Sequence, residues 1–168
     1  MTNIQIRWCQ EEDWGELGRI HCLSYHSTYK SIMPEDYLKT ITINERQQFY
    51  RNILKKGRMN TAILIEEDTA LGLLRISELE ENRIVIEELY LLEDCRGKGF
   101  GTTFLLWIEE ELIRRSGRTL ELWVLQENLR AIKFYQRYGF ERTGEERVIV
   151  RGKELIQIQY IKRIRERI

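Results

Sequence analysis

The alternation of apolar and polar residues predicts a chain of short strands and helices that follow one another closely. Apolar runs separated by short polar turns are typical of strands in hairpins. Residues 119–125 come after a helical stretch, so we predict that they form a strand parallel to 84–92, because a parallel pair needs a crossover connection. The predicted strands are 4–8, 61–65, 70–76, 84–92, 119–125, a strand from Phe140, and 155–161, with polar turns at 66–68, 80–83 and 151–153.

Apolar residues spaced three or four apart predict helices between these strands. Asp13 and Glu16 resemble a capping box at the start of the first helix, and Thr42 offers a second box within a helical region at 34–56. We assign His21, on the apolar face of the first helix, to the edge of the core rather than to catalysis. The other predicted helices are 99–116 and a short one with Ala131, Phe134, Tyr135 and Tyr138 on one face and Gly139 as a left-handed cap.

The hexapeptide Arg96-Gly97-Lys98-Gly99-Phe100-Gly101 lies at the centre of this pattern, after the strand at 84–92. Its glycines allow a tight turn and leave the first amides of the following helix open to a ligand. The helix dipole, together with Arg96 and Lys98, favours an anion such as a pyrophosphate. The Walker loop is excluded, because no Gly-Lys-Ser/Thr stands at the required spacing, and the order G-x-G-x-G fits the dinucleotide fingerprint poorly. A purely structural turn remains the alternative for this hexapeptide taken alone.

A second pattern follows the strand at 119–125, and the two patterns together resemble the GNAT superfamily of N-acetyltransferases. Its members have an Arg/Gln-x-x-Gly-x-Gly/Ala loop followed by N-x-x-A-x-x-F-Y-x-x-x-G-F. Residues 27–34 also look like the first helix-to-helix passage in a large bacterial branch of the superfamily. The matching residues are Arg96, Gly99 and Gly101 in the first pattern, and Asn128, Ala131, Phe134, Tyr135, Gly139 and Phe140 in the second.

The resemblance implies a fold and a cosubstrate. The implied fold is α/β (α+β), with a mixed, mostly antiparallel central sheet of about seven strands, helices on both faces and a splay between the fourth and fifth strands. The implied cosubstrate is acetyl-CoA, whose pyrophosphate would lie on the glycine loop and whose pantetheine arm would bond the main chain of residues 89–91. Tyr135 matches the tyrosine that protonates the leaving thiolate in many members.

The resemblance also implies which residues form the site. For Tyr135 the alternative is a packing role, and for Asn128 it is a helix cap alone. Cofactor contacts are expected from Leu89, Tyr90, Leu91, Arg96, Gly97, Lys98, Gly99, Phe100, Gly101, Thr102, Asn128 and Tyr135. Acceptor contacts are expected from Tyr25, Tyr29, Met33 and Tyr37, with core packing an equal alternative for each of these four.

Two adjacent glutamates are the candidates for the general base. Acetyl transfer to an amine needs one, because an amine with a pKa of about 10.4 is charged at neutral pH. Glu87 and Glu88 stand in the strand at 84–92, where a charge is costly unless it is solvated or used. Adjacent strand residues point to opposite faces. We therefore predict Glu87, which shares a face with Leu89 and Leu91, and Glu88 if a bulge intervenes; ordinary ion pairs are the alternative for both.

Composition limits the remaining functions. The 168 residues, 42% of them apolar, suffice for one domain, and we predict a single one at 1–168. Twenty-seven basic residues balance 27 acidic ones, so no nucleic-acid partner is expected, and no apolar run predicts secretion or a membrane partner. Three cysteines without paired spacing indicate reduced thiols and a cytoplasmic location. Cys22 and His26 are four apart on a helix, but a metal site needs more ligands, so no metal is predicted.

The resemblance implies two functions from different classes. The first is an enzyme that transfers acetyl from acetyl-CoA directly to a primary amine on a small molecule or a peptide. The alternative is an acetyl-CoA-binding module without transfer, which would serve as a sensor or an assembly partner. An acyl-enzyme through Cys95 is disfavoured, because no histidine lies near it in sequence. The sequence does not select the amine, and a homodimer is kept as one option for the assembly.

Overall fold

The structure, a computed structural model, describes residues 2–58, 60–79 and 82–165. Its elements follow the predicted order, and most of their ends lie within a few residues of the predicted ones. Glu80 and Glu81 of the predicted turn at 80–83 lie outside the described residues. The strands are β1 (Ile4–Trp8), β2 (Thr61–Glu66), β3 (Thr69–Leu79), β4 (Arg83–Leu91), β5 (Thr119–Leu125), β6 (Glu141–Val150) and β7 (Glu154–Arg163). The helices are α1 (Trp14–Tyr29), α2 (Glu35–Leu38), α3 (Ile43–Leu54), α4 (Phe100–Arg114) and α5 (Leu129–Arg137), with 3-10 turns at Glu11–Asp13 and Glu93–Cys95.

The strands form one mixed, seven-stranded sheet in the order β1-β2-β3-β4-β5-β7-β6. β1 with β2, β2 with β3, β5 with β7 and β6 with β7 are antiparallel, whereas β4 and β5 are parallel, as predicted. The register of β4 with β5 runs from Arg83 opposite Thr119 to Ile86 opposite Leu122, although β4 continues to Leu91. This short parallel register is consistent with the predicted splay, and the predicted fold class is confirmed.

The chain divides into two compact units, each of which has its own buried residues. One consists of Met1–Arg75 with Glu88–Phe104, and the other of Ile76–Glu87 with Leu105–Ile168. In the first unit, α1 and α3 pack with β2 and β3 around Leu17, Ile20, Tyr50, Leu54, Ile63, Ala70 and Leu73. In the second, the core contains Leu105, Ile108, Leu112, Leu120, Leu122, Val124, Phe140, Leu155, Ile158 and Tyr160. The single domain expected at 1–168 stays a prediction.

Three local predictions meet different outcomes. Thr42 does cap α3, since its hydroxyl accepts from the Glu45 amide at 3.2 Å. The predicted capping box at Asp13 is wrong: the Asp13 carboxylate instead binds the Arg7 guanidinium at 2.8 and 3.0 Å and the Gln10 amide at 2.7 Å. A two-bond ion pair to a neighbouring strand is the stronger interaction. The alternation of Ile156 and Ile158 with Gln157 predicts that both isoleucines lie on the inner face of the last strand, but Ile156 is 42% exposed and only Ile158, at 2%, is buried.

None of the helices in the described parts of the chain combines the length and the apolarity that crossing a bilayer requires.

Candidate active site

The glycine loop before α4 has the geometry that an anion site needs. Gly97 and Gly99 have φ of +77° and +88°, which few residues other than glycine adopt without strain. No heavy atom lies within 4 Å of the position that a Cβ would take at either glycine. Phe100 is buried and anchors the start of α4, and the Gly99 carbonyl accepts from the Thr103 amide at 3.0 Å. The loop therefore offers open space beside the first amides of a long helix, which is the arrangement that binds anions at helix N-termini.

The Arg96 side chain contacts α1 rather than only its own loop. Its Nη2 donates to the Ser24 carbonyl at 3.3 Å, to Ser27 Oγ at 2.7 Å and to Thr28 Oγ1 at 3.0 Å. Its Nε donates to the Leu91 carbonyl at 3.2 Å. The loop pattern alone predicted a charge that would face the pyrophosphate, whereas these bonds join the loop to the C-terminal turn of α1 and to the end of β4.

The segment Leu89 to Leu91, expected to bind the pantetheine arm, lies close to Gly72 of β3. A Cβ at Gly72 would stand 2.9 Å from the Tyr90 carbonyl oxygen and 2.6 Å from Leu91 Cδ2, so only glycine fits there without a shift. The register of β2 with β3 changes beside it, because Leu64 pairs with Gly72 but Ile65 pairs with Ala70. The residue skipped is Leu71, and its carbonyl accepts from the Leu92 amide at 3.0 Å. This bulge sets the position of the end of β4.

Glu88 of β4 is the centre of a hydrogen-bonded cluster. Its Oε2 accepts from the Tyr50 hydroxyl at 3.0 Å and from Arg75 Nε at 3.0 Å. His21 Nδ1 lies 2.8 Å from the Tyr50 oxygen and 3.8 Å from Glu88 Oε2. Because the Tyr50 hydroxyl donates its hydrogen bond to the carboxylate, we assign the Nδ1-protonated tautomer to His21, which then donates to the Tyr50 oxygen. Three elements, α1, α3 and β3, thus orient one carboxylate, whose side chain is 15% exposed.

The cluster keeps Glu88 ionised and His21 neutral. Burial by itself raises the pKa of Glu88, but the neighbouring His21, Arg75 and Tyr50 outweigh it, and the pKa lies below its ordinary value. Burial lowers the pKa of His21 to about 4, although the Glu88 charge opposes this shift. At neutral pH the His21 ring is therefore uncharged, and Arg75 is the positive partner of Glu88. Burial and the Glu88 charge raise the pKa of Tyr50 well above its ordinary value, so its hydroxyl stays protonated.

Glu87 has a different environment from its neighbour. It is exposed, and Ser77 Oγ donates to its Oε1 at 2.6 Å. Along β4 the burial pattern is consistent with alternation: Ile86 is buried, Glu87 is exposed and Glu88 is half-buried. Of the two candidate glutamates, Glu88 is therefore the one that lies in the hydrogen-bonded cluster with Tyr50 and Arg75.

The residues expected to contact the acceptor are partly gathered near Glu88. Tyr25 stacks on His21 with ring centres 5.8 Å apart, contacts Tyr29 at 4.6 Å and lies 6.3 Å from the Tyr90 ring. The Tyr90 ring itself lies 4.9 Å from His21. The other two expected residues show different burial: Met33 is 6% exposed, and Tyr37 of α2 is half-buried. Tyr25, Tyr29, Tyr50 and Tyr90 with His21 form what we call the aromatic cluster.

Tyr135 and Asn128 belong to α5 and its start, in the second unit. The Asn128 side chain accepts from the Ala131 amide at 3.3 Å, so it caps α5 as the structural alternative predicted. Gly139, at φ +101°, ends the helix as expected, and the Phe140 amide bonds the Tyr135 carbonyl at 3.0 Å. The Tyr135 ring lies 5.2 Å from Phe134 and 5.5 Å from Phe140, so these contacts orient it.

The surroundings of Cys22, His26 and Cys95 favour structural roles over chemical ones. Cys95 is 8% exposed, and burial raises its pKa, which does not suit a nucleophile. Cys22 Sγ and His26 Nε2 both donate to the Ile41 carbonyl, at 3.4 and 2.7 Å. These two side chains therefore stabilise the connection between α2 and α3.

Sequence reasoning missed Tyr50 and Arg75 and set His21 aside. Tyr50 occurs in a helix of ordinary amphipathic pattern and is fully buried, which its sequence context does not reveal. Arg75 did leave a signal, because it is the one charged residue in the apolar run at 70–76. A charge in such a run requires a partner, and that partner is Glu88.

Comparison with known proteins identifies the family. A model of the acetyltransferase (GNAT) family matches residues 14–140, which include the loop, Glu88 and Tyr135. The chain belongs to this family. The match confirms the predicted superfamily and the predicted enzyme class, an N-acetyltransferase.

Individual relatives cover nearly the whole chain. The uncharacterized N-acetyltransferase YuaI of Bacillus subtilis is 26% identical over 163 residues, which are 92% of this chain and 90% of that protein. The peptidyl-lysine N-acetyltransferase YjaB of Escherichia coli is 27% identical, over 94% of this chain and 97% of that protein. Among solved structures, the PaiA N-acetyltransferase of Thermoplasma acidophilum, in complex with coenzyme A, has a TM-score of 0.80 at 22% identity, over 96% of this chain and 99% of that chain. This last similarity shows the fold.

Proposed function

We propose that the protein transfers the acetyl group of acetyl-CoA directly to a primary amine, with Glu88 as the general base and Tyr135 as the general acid. The observation that carries the proposal is the Glu88 cluster: a half-buried, ionised carboxylate oriented by Tyr50 and Arg75, on the strand that leads into an open glycine loop. Keeping a charged carboxylate half-buried costs free energy, and a strand with a purely structural role does not need such a charge. This choice reverses the preference for Glu87 that strand alternation suggested.

The residues expected to hold acetyl-CoA divide between main chain and side chains. The amides from Gly97 to Thr102 and the dipole of α4 would bind the pyrophosphate, and Lys98 would add a charge. The main chain of Leu89 to Leu91 would bind the pantetheine arm. Asn128 caps α5, and a contact from it to the cofactor is a further part of the proposal. When bound, acetyl-CoA supplies an activated acyl carbon and a thiolate leaving group.

Proton movement is the task of Glu88 and Tyr135. The amine arrives as an ammonium, and Glu88 accepts its proton through a water, which leaves the nitrogen lone pair free to form the C–N bond. As the C–S bond breaks, the Tyr135 hydroxyl gives its proton to the departing sulfur. A phenol suits this role, because with a pKa of about 10 it is protonated beforehand. The nitrogen loses its second proton to solvent as the amide forms. Solvent then takes the proton from Glu88 and restores the Tyr135 proton, so that one proton is released for each ammonium acetylated.

The acceptor that these residues favour is a cationic amine. Glu88 supplies a negative charge, and the half-buried rings of Tyr25, Tyr29 and Tyr90 would offer faces that attract a cation. Met33 and Tyr37 are retained as further acceptor contacts in the proposal. A lysine side chain belongs in the test panel, because the similar YjaB is a peptidyl-lysine N-acetyltransferase. A cytoplasmic location stays a prediction, as does a homodimer.

An acceptor screen tests the function. Purified protein is incubated with acetyl-CoA and a panel of polyamines, small amines and lysine or N-terminal peptides, while free thiol and product mass are measured together. We expect acetylated product and one thiol for each acetyl transferred. If coenzyme A raises the Tm but no amine in the panel yields thiol above the amine-free rate, the acetyl-CoA-binding module without transfer is the correct function.

A further inference from the structure

Arg96 connects three parts of the first unit that serve different purposes. It belongs to the glycine loop proposed to bind the pyrophosphate, it bonds the Leu91 carbonyl at the end of the strand proposed to hold the pantetheine, and it bonds the last turn of α1. That turn carries Tyr25 and Tyr29 of the aromatic cluster. A planar guanidinium with several donors in fixed directions is suited to such a junction, because it can satisfy several acceptors at once.

The acceptors of these bonds are themselves held in place. Ser27 Oγ donates to the Ser24 carbonyl at 3.1 Å, so Ser24 and Ser27 form one unit with the guanidinium. The Ser24 residue is fully buried. Tyr25, the next residue, contacts His21 and Tyr29. Arg96 thus joins the loop directly to the turn of α1 that carries Tyr25 and Tyr29.

We propose that Arg96 is a positioning residue that couples occupation of the cofactor loop to the order of the acceptor-side end of α1, rather than a direct ligand of the pyrophosphate. This inference rests on the proposed function, because it takes the loop as the coenzyme A site. Coupling of this kind is a difference in free energy between two linked sites, and it acts in both directions. Coenzyme A on the loop thus orders the wall of the acceptor site, and an ordered wall strengthens coenzyme A binding.

Hydrogen exchange with coenzyme A as the probe tests the coupling without a known acceptor. In the wild type we expect coenzyme A to slow amide exchange both in the loop at 97–102 and in α1 from Ser24 to Tyr29. In Arg96→Ala, saturating coenzyme A should still protect the loop but no longer protect α1. Lys98→Ala is the matched control, since it removes one charge from the same loop, and protection of α1 should persist in it.

The outcomes separate the coupling from the proposed function. The coupling would be overturned if coenzyme A protected α1 as well in Arg96→Ala as in the wild type. It would also be overturned if Lys98→Ala lost the protection of α1 too. A wild type whose loop is not protected by coenzyme A would refute the proposed coenzyme A site, and the coupling with it.

A second measurement uses residues outside the loop. Removing two of the acceptors with Ser27→Ala and Thr28→Val should weaken coenzyme A binding severalfold in calorimetry, and Arg96→Ala should weaken it about tenfold. Combined, the changes should weaken binding little more than Arg96→Ala alone, because they break the same bonds. Arg96→Lys should rescue only partly, since an ammonium lacks the fork of donors.

If the fold-losses of coenzyme A affinity multiply in the combined variant, Arg96 acts on the phosphates directly, and the proposal is overturned. If Arg96→Ala does not fold, the Ser27→Ala and Thr28→Val variant decides alone. Unchanged coenzyme A affinity together with unchanged protection of α1 in that variant would exclude the coupling. Once an acceptor is known, the same variant should raise its KM.

Discussion

The protonation state of Glu88 is set by partners that are distant in sequence but in hydrogen-bond contact with its carboxylate. A carboxylate at this depth would favour its neutral form, yet Arg75 and Tyr50 keep it charged. Its pKa lies below the ordinary value, so it does not titrate over the pH range in which an amine acceptor does. The pH dependence of the rate should therefore come from the amine, which makes the contribution of the base measurable.

Glu88→Gln is expected to lower kcat/KM about a hundredfold at pH 7, as loss of a general base does. Glutamine keeps acceptors for the Tyr50 and Arg75 hydrogen bonds but cannot take a proton. The deficit should shrink as pH rises towards the pKa of the amine, because the amine then deprotonates unaided. The measurement is the pH profile of kcat/KM with the best acceptor.

Glu87→Gln is the matched control for this profile, since it changes the adjacent and exposed carboxylate in the same way. Its kcat/KM should stay within about twofold of the wild type at every pH, as expected for an exposed side chain away from the proton path. A loss in Glu88→Gln that is uniform across the pH range would assign Glu88 to binding or folding, and a larger loss in Glu87→Gln would restore Glu87 as the base.

Tyr135→Phe is expected to lower kcat about a hundredfold while leaving coenzyme A affinity nearly unchanged. Phenylalanine retains the ring that contacts Phe134 and Phe140, so the fold of α5 should survive. Tyr138→Phe is the control at the C-terminal end of the same helix, because Tyr138 follows its last residue and its hydroxyl, which donates to Glu109, is not assigned to catalysis. Turnover of Tyr135→Phe at the wild-type rate would make Tyr135 a packing residue, with water protonating the thiolate.

At the scale of elements, the connection between β4 and α4 is the part that the sequence predicted best. Glycines, flanking periodicity and the parallel crossover are all local signals, and the loop, α4 and the parallel partner β5 appear where they were expected. The contacts of Arg96 could not be predicted in this way, because its acceptors on α1 are remote in sequence. The cluster around Glu88 could not be predicted for the same reason. Strand alternation places Glu87 and Glu88 on opposite faces of β4, but it does not say which face meets α1 and α3.

The loop itself can be tested with two glycines of the same backbone conformation. Gly99 and Gly57 both have positive φ, +88° and +63°, and both have open space where a Cβ would stand. Gly99→Ala and Gly57→Ala should each destabilise the fold by about 1 kcal/mol through backbone strain. Only Gly99→Ala should also weaken coenzyme A binding by about tenfold or more, because its methyl group would occupy the place that the phosphate oxygens approach.

Calorimetry with coenzyme A and urea unfolding separate these two effects. The comparison isolates the ligand effect, because Gly57 lies in the connection between α3 and β2, apart from the loop. Unchanged affinity in Gly99→Ala would remove the loop from the coenzyme A site. An equal loss of affinity in both variants would attribute it to general destabilisation.

For the whole molecule, charge works locally rather than through a net field. The chain has 27 basic and 27 acidic residues, so nothing in its total charge draws a polyanion such as coenzyme A from a distance. In the proposed function, binding therefore rests on the loop amides, the dipole of α4 and a few side chains close to the loop. The same balance makes buried titratable groups, rather than overall repulsion, the main source of pH-dependent stability near neutrality.

His21 should make the whole fold less stable in mild acid. Its pKa is lowered to about 4 in the folded protein, against 6.5 ordinarily, and it is 2% exposed. The unfolded chain therefore takes up a proton on His21 below pH 6.5 while the folded chain does not, so stability is full above that pH and is lost as pH falls towards 4. A difference of two to three pKa units corresponds to about 3 kcal/mol.

His21→Gln removes this titration and tests the argument. The free energy of unfolding, measured by urea titration, should fall less between pH 7.5 and pH 4.5 in the variant than in the wild type. The pKa of folded Glu88 is lowered below its ordinary value of 4.5, so most of its titration lies outside the range from pH 7.5 to pH 4.5. Equal losses in wild type and variant would show that another group controls the acid sensitivity.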